Sequence, residues 1–170
     1  MDSTALREMQ APLKEKYRAD PSAAVVTLKA HGDLADGAIA CKVETGRALI
    51  EAGLHPATGG SGLEACSGDM LLEALVACAG VTLKAVATAI DFTLRGGSVS
   101  AEGDLDFRGT LGVDRIAPVG FRDIRLNFTL DTDEPEEKRR TLLRLTERYC
   151  VVLQTLRNSP PVEAAIAVRN

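Results

Sequence analysis

The chain has 170 residues, a net charge of −4, 45% hydrophobic and 4% aromatic residues, and no tryptophan. That is enough Leu, Val, Ile and Ala for a real core, so wholesale disorder is excluded and one domain over 1–170 is expected. The acidic balance excludes a nucleic-acid surface as the main role, because phosphate contacts need a basic face.

Residues 3–18 space Leu6, Met9, Leu13 and Tyr17 at three to four, which predicts a short amphipathic helix. It forms an N-terminal arm over 1–20 that stops at Asp20-Pro21, because the residue before proline avoids helical geometry. Strand-like segments at Ala23–Ala30 and Ala38–Glu44 flank a polar turn at His31–Gly37, and Asp36-Gly37 suits a hairpin. A short apolar segment, Ala48–Ala52, leads into the Gly-, Ser- and Pro-rich stretch Gly53–Gly68, the longest loop signal in the chain.

Next comes an apolar helix that starts near Ser67 to Asp69, both capping residue types, and runs to Ile90. Its apolar residues occupy most of the circumference, which predicts a helix enclosed by protein. Glu73 and Lys84 inside it argue against a membrane span. Gly80 predicts another backbone packed close by. Two strands follow, Ser98–Arg108 after Gly96-Gly97 and Phe121–Leu130 after a loop at Gly109–Pro118. Asp131–Glu134 with Pro135 marks a helix start, with Asp or Thr as cap, and this helix runs to about Tyr149. Cys150 opens or interrupts a further helical piece, Val151–Leu156. Asn158-Ser-Pro-Pro161 ends it, and Val162–Val168 reads as a closing strand. Strands that cluster apart from helices predict an α+β fold with largely antiparallel pairing.

The first residues, Met-Asp-Ser-Thr-Ala-Leu-Arg-Glu, have no signal-peptide core, which predicts a cytoplasmic protein. Its four cysteines (41, 66, 78 and 150) are then expected in a reducing compartment, where a structural disulfide is disfavoured. No CxxC occurs and His31 and His55 stand apart, so no metal or cofactor is expected. Cys78 and Cys150 admit two readings. They are small apolar core residues, or they are a redox pair in which one thiolate attacks an O–O bond and the other closes a disulfide. Cys66, just before the helix, is either a third redox thiol or loop packing. Cys41 reads as strand core. His55 reads as an exposed loop residue or a pocket wall.

The segment Gly68-Asp-Met-Leu-Leu-Glu-Ala-Leu-Val-Ala-Cys78-Ala resembles the first cysteine helix of the OsmC/Ohr superfamily. Arg148-Tyr-Cys150-Val-Val-Leu-Gln-Thr-Leu resembles the second, and the element order matches over about residues 23–168. The resemblance implies antiparallel sheets wrapped around two central helices in an intertwined homodimer. It implies a thiol-dependent peroxidase that reduces organic hydroperoxides and is reset by a small dithiol or a protein reductant. Cys78 would be the peroxidatic residue and Cys150 the resolving one. The family's activating Glu lies ten residues before the first cysteine, where this chain has Gly68; Asp69 and Glu73 are the nearest acids, and Asp69 also reads as a helix cap. For the family's Arg, the chain offers Lys29 in the first hairpin and Arg47 beyond it. Val151 follows the second cysteine, where the peroxidases often carry Pro. The alternative is a non-enzymatic dimer of the same fold that binds a small apolar ligand at its interface.

Overall fold

The computed structural model describes residues 2–25, 27, 31–34, 40–44 and 49–168, with backbone alone at 21, 22, 31–34 and 40–44. Helix α1 (Ser3–Ala19) starts where the Ala5 N–H donates to the Asp2 carboxylate at 2.8 Å. Of its expected apolar stripe only Leu6 is buried; Met9, Leu13 and Tyr17 are exposed. Pro21–Ala24 form a 3-10 turn rather than the start of a strand, with the Ala23 N–H donating to the Asp20 carbonyl.

Three strands then form an antiparallel meander: β1 (His31–Leu34), β2 (Ala40–Glu44) and β3 (Leu49–Gly53). The hairpin expected from the sequence is therefore present, but its first strand lies where a turn was expected. The register pairs His31 with Glu44 and Leu34 with Cys41, so the connection begins after Leu34. The Asp36-Gly37 turn lies outside the described residues. A two-residue strand, β4 (Ala65–Cys66), runs parallel to β3 and delivers the chain to the next helix. The loop between β3 and β4 folds tightly on itself: a Cβ at Gly60 would lie 1.7 Å from the Leu54 carbonyl oxygen, so only glycine fits.

Helix α2 (Ser67–Ala89) is the centre of the fold. Because β4 holds the backbone extended through Cys66, Cys66 takes the N-cap position and makes no side-chain cap bond. The capping expected of Ser67 or Asp69 is thus corrected: both lie inside the first turn. There the Asp69 charge faces the positive helix end. Leu75, Ala79, Leu83, Val86 and Ala87 are buried, and the helix packs on β5 (Gly96–Asp104), α4 (Glu136–Tyr149) and α5 (Val151–Arg157). The expectation of a helix enclosed on every side is met on one side only within the chain. Ala74, Ala77, Val81 and Ala85 are exposed, with Val81 at 72%. Gly80 does not admit a close backbone either: an added Cβ would meet only the Val99 side chain at 3.7 Å, an ordinary contact.

Nine residue pairs join β5 to β6 (Asp123–Asp131) in an antiparallel ribbon. The first of these strands stops short of its expected end. Asp106 accepts from the Arg108 N–H, and residues 107–110 turn into the short helix α3 (Phe107–Thr110). One face of the ribbon, with Val99, Ala101, Ile124, Leu126 and Phe128, covers α2 and α5. Pro135, extended at φ −64 and ψ 158, holds the cap position of α4, so the expected Asp or Thr cap is not made. The Thr132 hydroxyl instead accepts from the Glu134 N–H in the turn before the helix. Cys150 is the last cap of α4 and the first of α5, with ψ 107 breaking the helix as the sequence suggests.

The closing strand does not form. Residues 159–168 have no regular structure, because no described strand pairs with them, and Val162, Ile166 and Val168 are over four-fifths exposed. The architecture is a mixed α+β fold: a four-stranded sheet, a two-stranded ribbon, and α2 with α4 and α5 packed on that ribbon.

Candidate thiol site

Two elements bring the cysteines together. The middle of α2 supplies Cys78, half-buried at the edge of its exposed apolar stripe. The junction of α4 and α5 supplies Cys150, which has no solvent exposure. Both belong to one apolar cluster with Leu75, Ala79 and Leu153. The junction is held by the Cys150 N–H donating to the Thr146 carbonyl and the Gln154 N–H donating to the Cys150 carbonyl, each at 2.9 Å. Those bonds place the start of α5 beside Cys78, where N–H groups without an intrahelical partner are free to bind an anionic sulfur.

Electrostatics then divides the pair. Burial pushes the Cys78 thiol up, but hydrogen bonds overcome it: the Val152 N–H, the Cys150 thiol, the Val151 N–H and the Thr82 hydroxyl hold it below the ordinary thiol value. Burial also pushes Cys150 up, and the neighbouring Cys78 adds to that shift. Of the two neighbouring thiols, Cys78 is therefore the more acidic and Cys150 the less acidic. No charged side chain is among the main contributors at Cys78. Among the described residues, the groups that lower it are neutral donors.

The other residues singled out in the sequence fall elsewhere. Asp69 precedes Cys78 by nine residues, roughly 13 Å along α2 and on its opposite side; Glu73 is roughly 7 Å away and turned well off the Cys78 face. Both are exposed, and the single chain does not bring either to the thiols. A Cβ at Gly68 would touch Phe121, Cys66 and Leu105 at 3.5–3.6 Å, so this position faces an apolar corner at the start of α2. Cys66 is half-buried in that corner as a free thiol, three helical turns before Cys78. His55 stacks on Phe107 with ring centroids 4.8 Å apart, and its Nδ1 accepts from the Ala57 N–H, which makes it part of a folded loop. Lys29, Arg47 and the Cys41 side chain lie outside the described residues.

Sequence reasoning missed two parts of the site. Thr82 carried a signal, a polar residue one turn after Cys78 in an apolar helix. The N–H groups of Val151 and Val152 carried none beyond the helix break at Cys150.

Just below the pair, the Thr146 hydroxyl is buried and unpartnered. A desolvated hydroxyl without a partner destabilises the fold, so Thr146→Val, which keeps the shape, is expected to stabilise it by about 1 kcal/mol. Urea unfolding checks this; a loss of stability would mean that a buried water satisfies the hydroxyl.

The family profile described as OsmC-like protein matches residues 60–165. Among solved structures, an OsmC-like protein from Mycoplasma pneumoniae is 17% identical over 79% of this chain and 89% of its own, with a TM-score of 0.64. An organic hydroperoxide resistance protein from Elizabethkingia anophelis with bound thiocyanate is 16% identical over 79% and 91%, at 0.62. One from Legionella pneumophila is 16% identical over 79% and 91%, at 0.61. At such identities the likeness to these structures is one of fold. No curated protein matches the chain.

Proposed function

Because this chain belongs to the OsmC-like protein family, we propose that it is a thiol-dependent peroxidase that reduces organic hydroperoxides through Cys78 and Cys150. The observation that carries this reading is that α2 and the α4–α5 junction bring Cys78 and Cys150 into one apolar cluster, with Cys78 the more acidic thiol of the two. A thiolate at Cys78 attacks the distal oxygen of ROOH. The O–O bond breaks, the sulfur becomes a sulfenic acid, and the alkoxide leaves as ROH after taking a proton. Cys150 then loses its proton and attacks the sulfenic sulfur; water leaves and a disulfide forms. A dithiol or a protein reductant restores both thiols by exchange.

Burial of Cys150 supports an internal disulfide, since thiols of other molecules cannot reach it. We assign the whole chain to one domain acting in a reducing cytoplasm, as a homodimer. The exposed apolar stripe on α2 and the exposed apolar residues of 162–168 support that assembly.

A second reading, a binder of small apolar ligands, has one observation in its favour. A groove of about 410 Å³ between the ribbon and the helices is lined by Leu75, Phe121, Ile124, Leu126, Phe128 and Leu153 among others. Titrating free thiols of the reduced protein before and after one equivalent of tert-butyl hydroperoxide separates the two. The peroxidase reading expects a loss of two thiols per chain; no loss sinks it and leaves the binder.

A further inference from the structure

The kink that seats Cys150 carries a clamp. The chain leaves helical geometry at Cys150, where ψ is 107, so the last carbonyls of α4 lose the N–H groups of a next turn. The Thr146 carbonyl is met by the Cys150 N–H at 2.9 Å. The following one, at Glu147, is met by a side chain of α5. Gln154 Nε2 donates to it at 2.7 Å, in a half-buried position. The amide is also oriented from behind: Asn158 Nδ2 donates to Gln154 Oε1 at 3.2 Å, which leaves the Gln154 NH2 group for Glu147. A second grip on Glu147 is the Arg157 guanidinium on its carboxylate at 2.8 Å, with side chains 50% and 37% exposed.

We propose that Gln154 is a positioning residue of the thiol pair: its amide fixes the angle between α4 and α5 and so holds Cys150 against Cys78. It acts through the backbone of the kink and not on a sulfur. Gln154 lies one turn after Cys150, and its own N–H donates to the Cys150 carbonyl at 2.9 Å. One residue therefore ties Cys150 to α5 through its backbone and α5 to α4 through its side chain. Cys78 comes from a third helix, α2, and packs on the same apolar cluster as Cys150, so its reach to that thiol is set by the angle. A half-buried carbonyl left without a donor is destabilising, and the kink relaxes to satisfy it. The inference rests on the peroxidase reading for its purpose, but any oxidant that closes the disulfide reports the positioning.

The test is the equilibrium of the full-length protein with glutathione, quenched by alkylation and read by mass on the peptides that carry Cys78 and Cys150. Glutathione disulfide takes two electrons and two protons from the pair, which becomes a disulfide, and leaves as two glutathione thiols. Gln154→Met keeps the length of the side chain and removes the donor. It is expected to lower the effective concentration of the two thiols by about three- to tenfold, the scale of one hydrogen bond. Arg157→Met cuts the exposed ion pair to the same Glu147 and is expected to change it by less than about twofold. An unmoved equilibrium in Gln154→Met, or an equal shift in Arg157→Met, overturns the inference. Should Gln154→Met not fold, the exposed Asn158→Asp decides alone: it removes the group that orients the amide, a smaller loss is expected, and an unchanged value overturns the inference. A wild-type chain that closes no Cys78–Cys150 disulfide sinks this inference and the peroxidase reading together. The exchange needs no peroxide, so a shift in a protein that fails to consume hydroperoxide sustains Gln154 and sinks only the peroxidase reading.

Discussion

Cys78→Ser is expected to abolish hydroperoxide consumption, with a rate loss of at least about a thousandfold, the scale on which removal of a nucleophile acts. A serine hydroxyl at that site stays protonated and cannot attack an O–O bond at neutral pH. Cys150→Ser is expected to behave differently. Its hydroxyl still donates to the Cys78 sulfur, so the first oxidation proceeds, but the sulfenic acid has no thiol to meet. One equivalent of ROH per chain should form and turnover should then stop, with the sulfenic acid trapped by dimedone and detected by mass. Cys150→Ala removes the donor as well, so its first oxidation should be slower than that of Cys150→Ser. In wild type the first-step rate should rise with pH with its midpoint below the ordinary thiol pKa, since burial raises the Cys78 pKa but the Val152 N–H, the Cys150 thiol and the Val151 N–H outweigh it. Peroxide consumption by Cys78→Ser at the wild-type rate would place the chemistry on another residue.

The parts of this site that rest on local pattern were open to sequence reasoning. The apolar run around Cys78 predicts a helix, and Cys150 predicts a helix break; both are found. The two cysteine segments carry the family's pattern in their residues alone, and the family profile spans both. Misreadings arose where tertiary pairing decides. The β4 pairing at Cys66 moved the cap of α2 off Asp69, and Asp106 turned Phe107 and Arg108 out of the strand into a helix. Val162–Val168 has the apolar residues of a strand, yet a strand exists only with a partner, and residue pattern cannot supply one. The residues of α2 make nearly every face apolar. They do not reveal that part of that surface is left uncovered within the chain. The unequal acidity of the two thiols was illegible for a similar reason: it depends on which N–H groups meet which sulfur across a separation of 72 positions, counted from Cys78 to Cys150.

Leu75→Ala is expected to couple the core to the chemistry. Leu75 has no solvent exposure and lies in the cluster with Ala79, Cys150 and Leu153, on the buried face of α2 just before Cys78. Truncation removes buried methyl groups and leaves a cavity, at a cost of about 2–5 kcal/mol. Leu142→Ala, also from full burial, should cost a similar amount, but its cluster of Leu83, Val86, Ala87 and Phe92 lies away from the thiols. Urea unfolding should therefore show two comparably destabilised proteins. Thiol titration should separate them. With Leu75 gone, the Cys150 side chain gains room and its alignment with Cys78 loosens, so disulfide closure after the first oxidation slows and more sulfenic acid is trapped by dimedone. Leu142→Ala, assayed where it is still folded, should close its disulfide at the wild-type rate. Equal closure rates in the two variants would mean that the α4–α5 junction alone, through the Thr146 carbonyl and the Gln154 N–H, holds Cys150 in place.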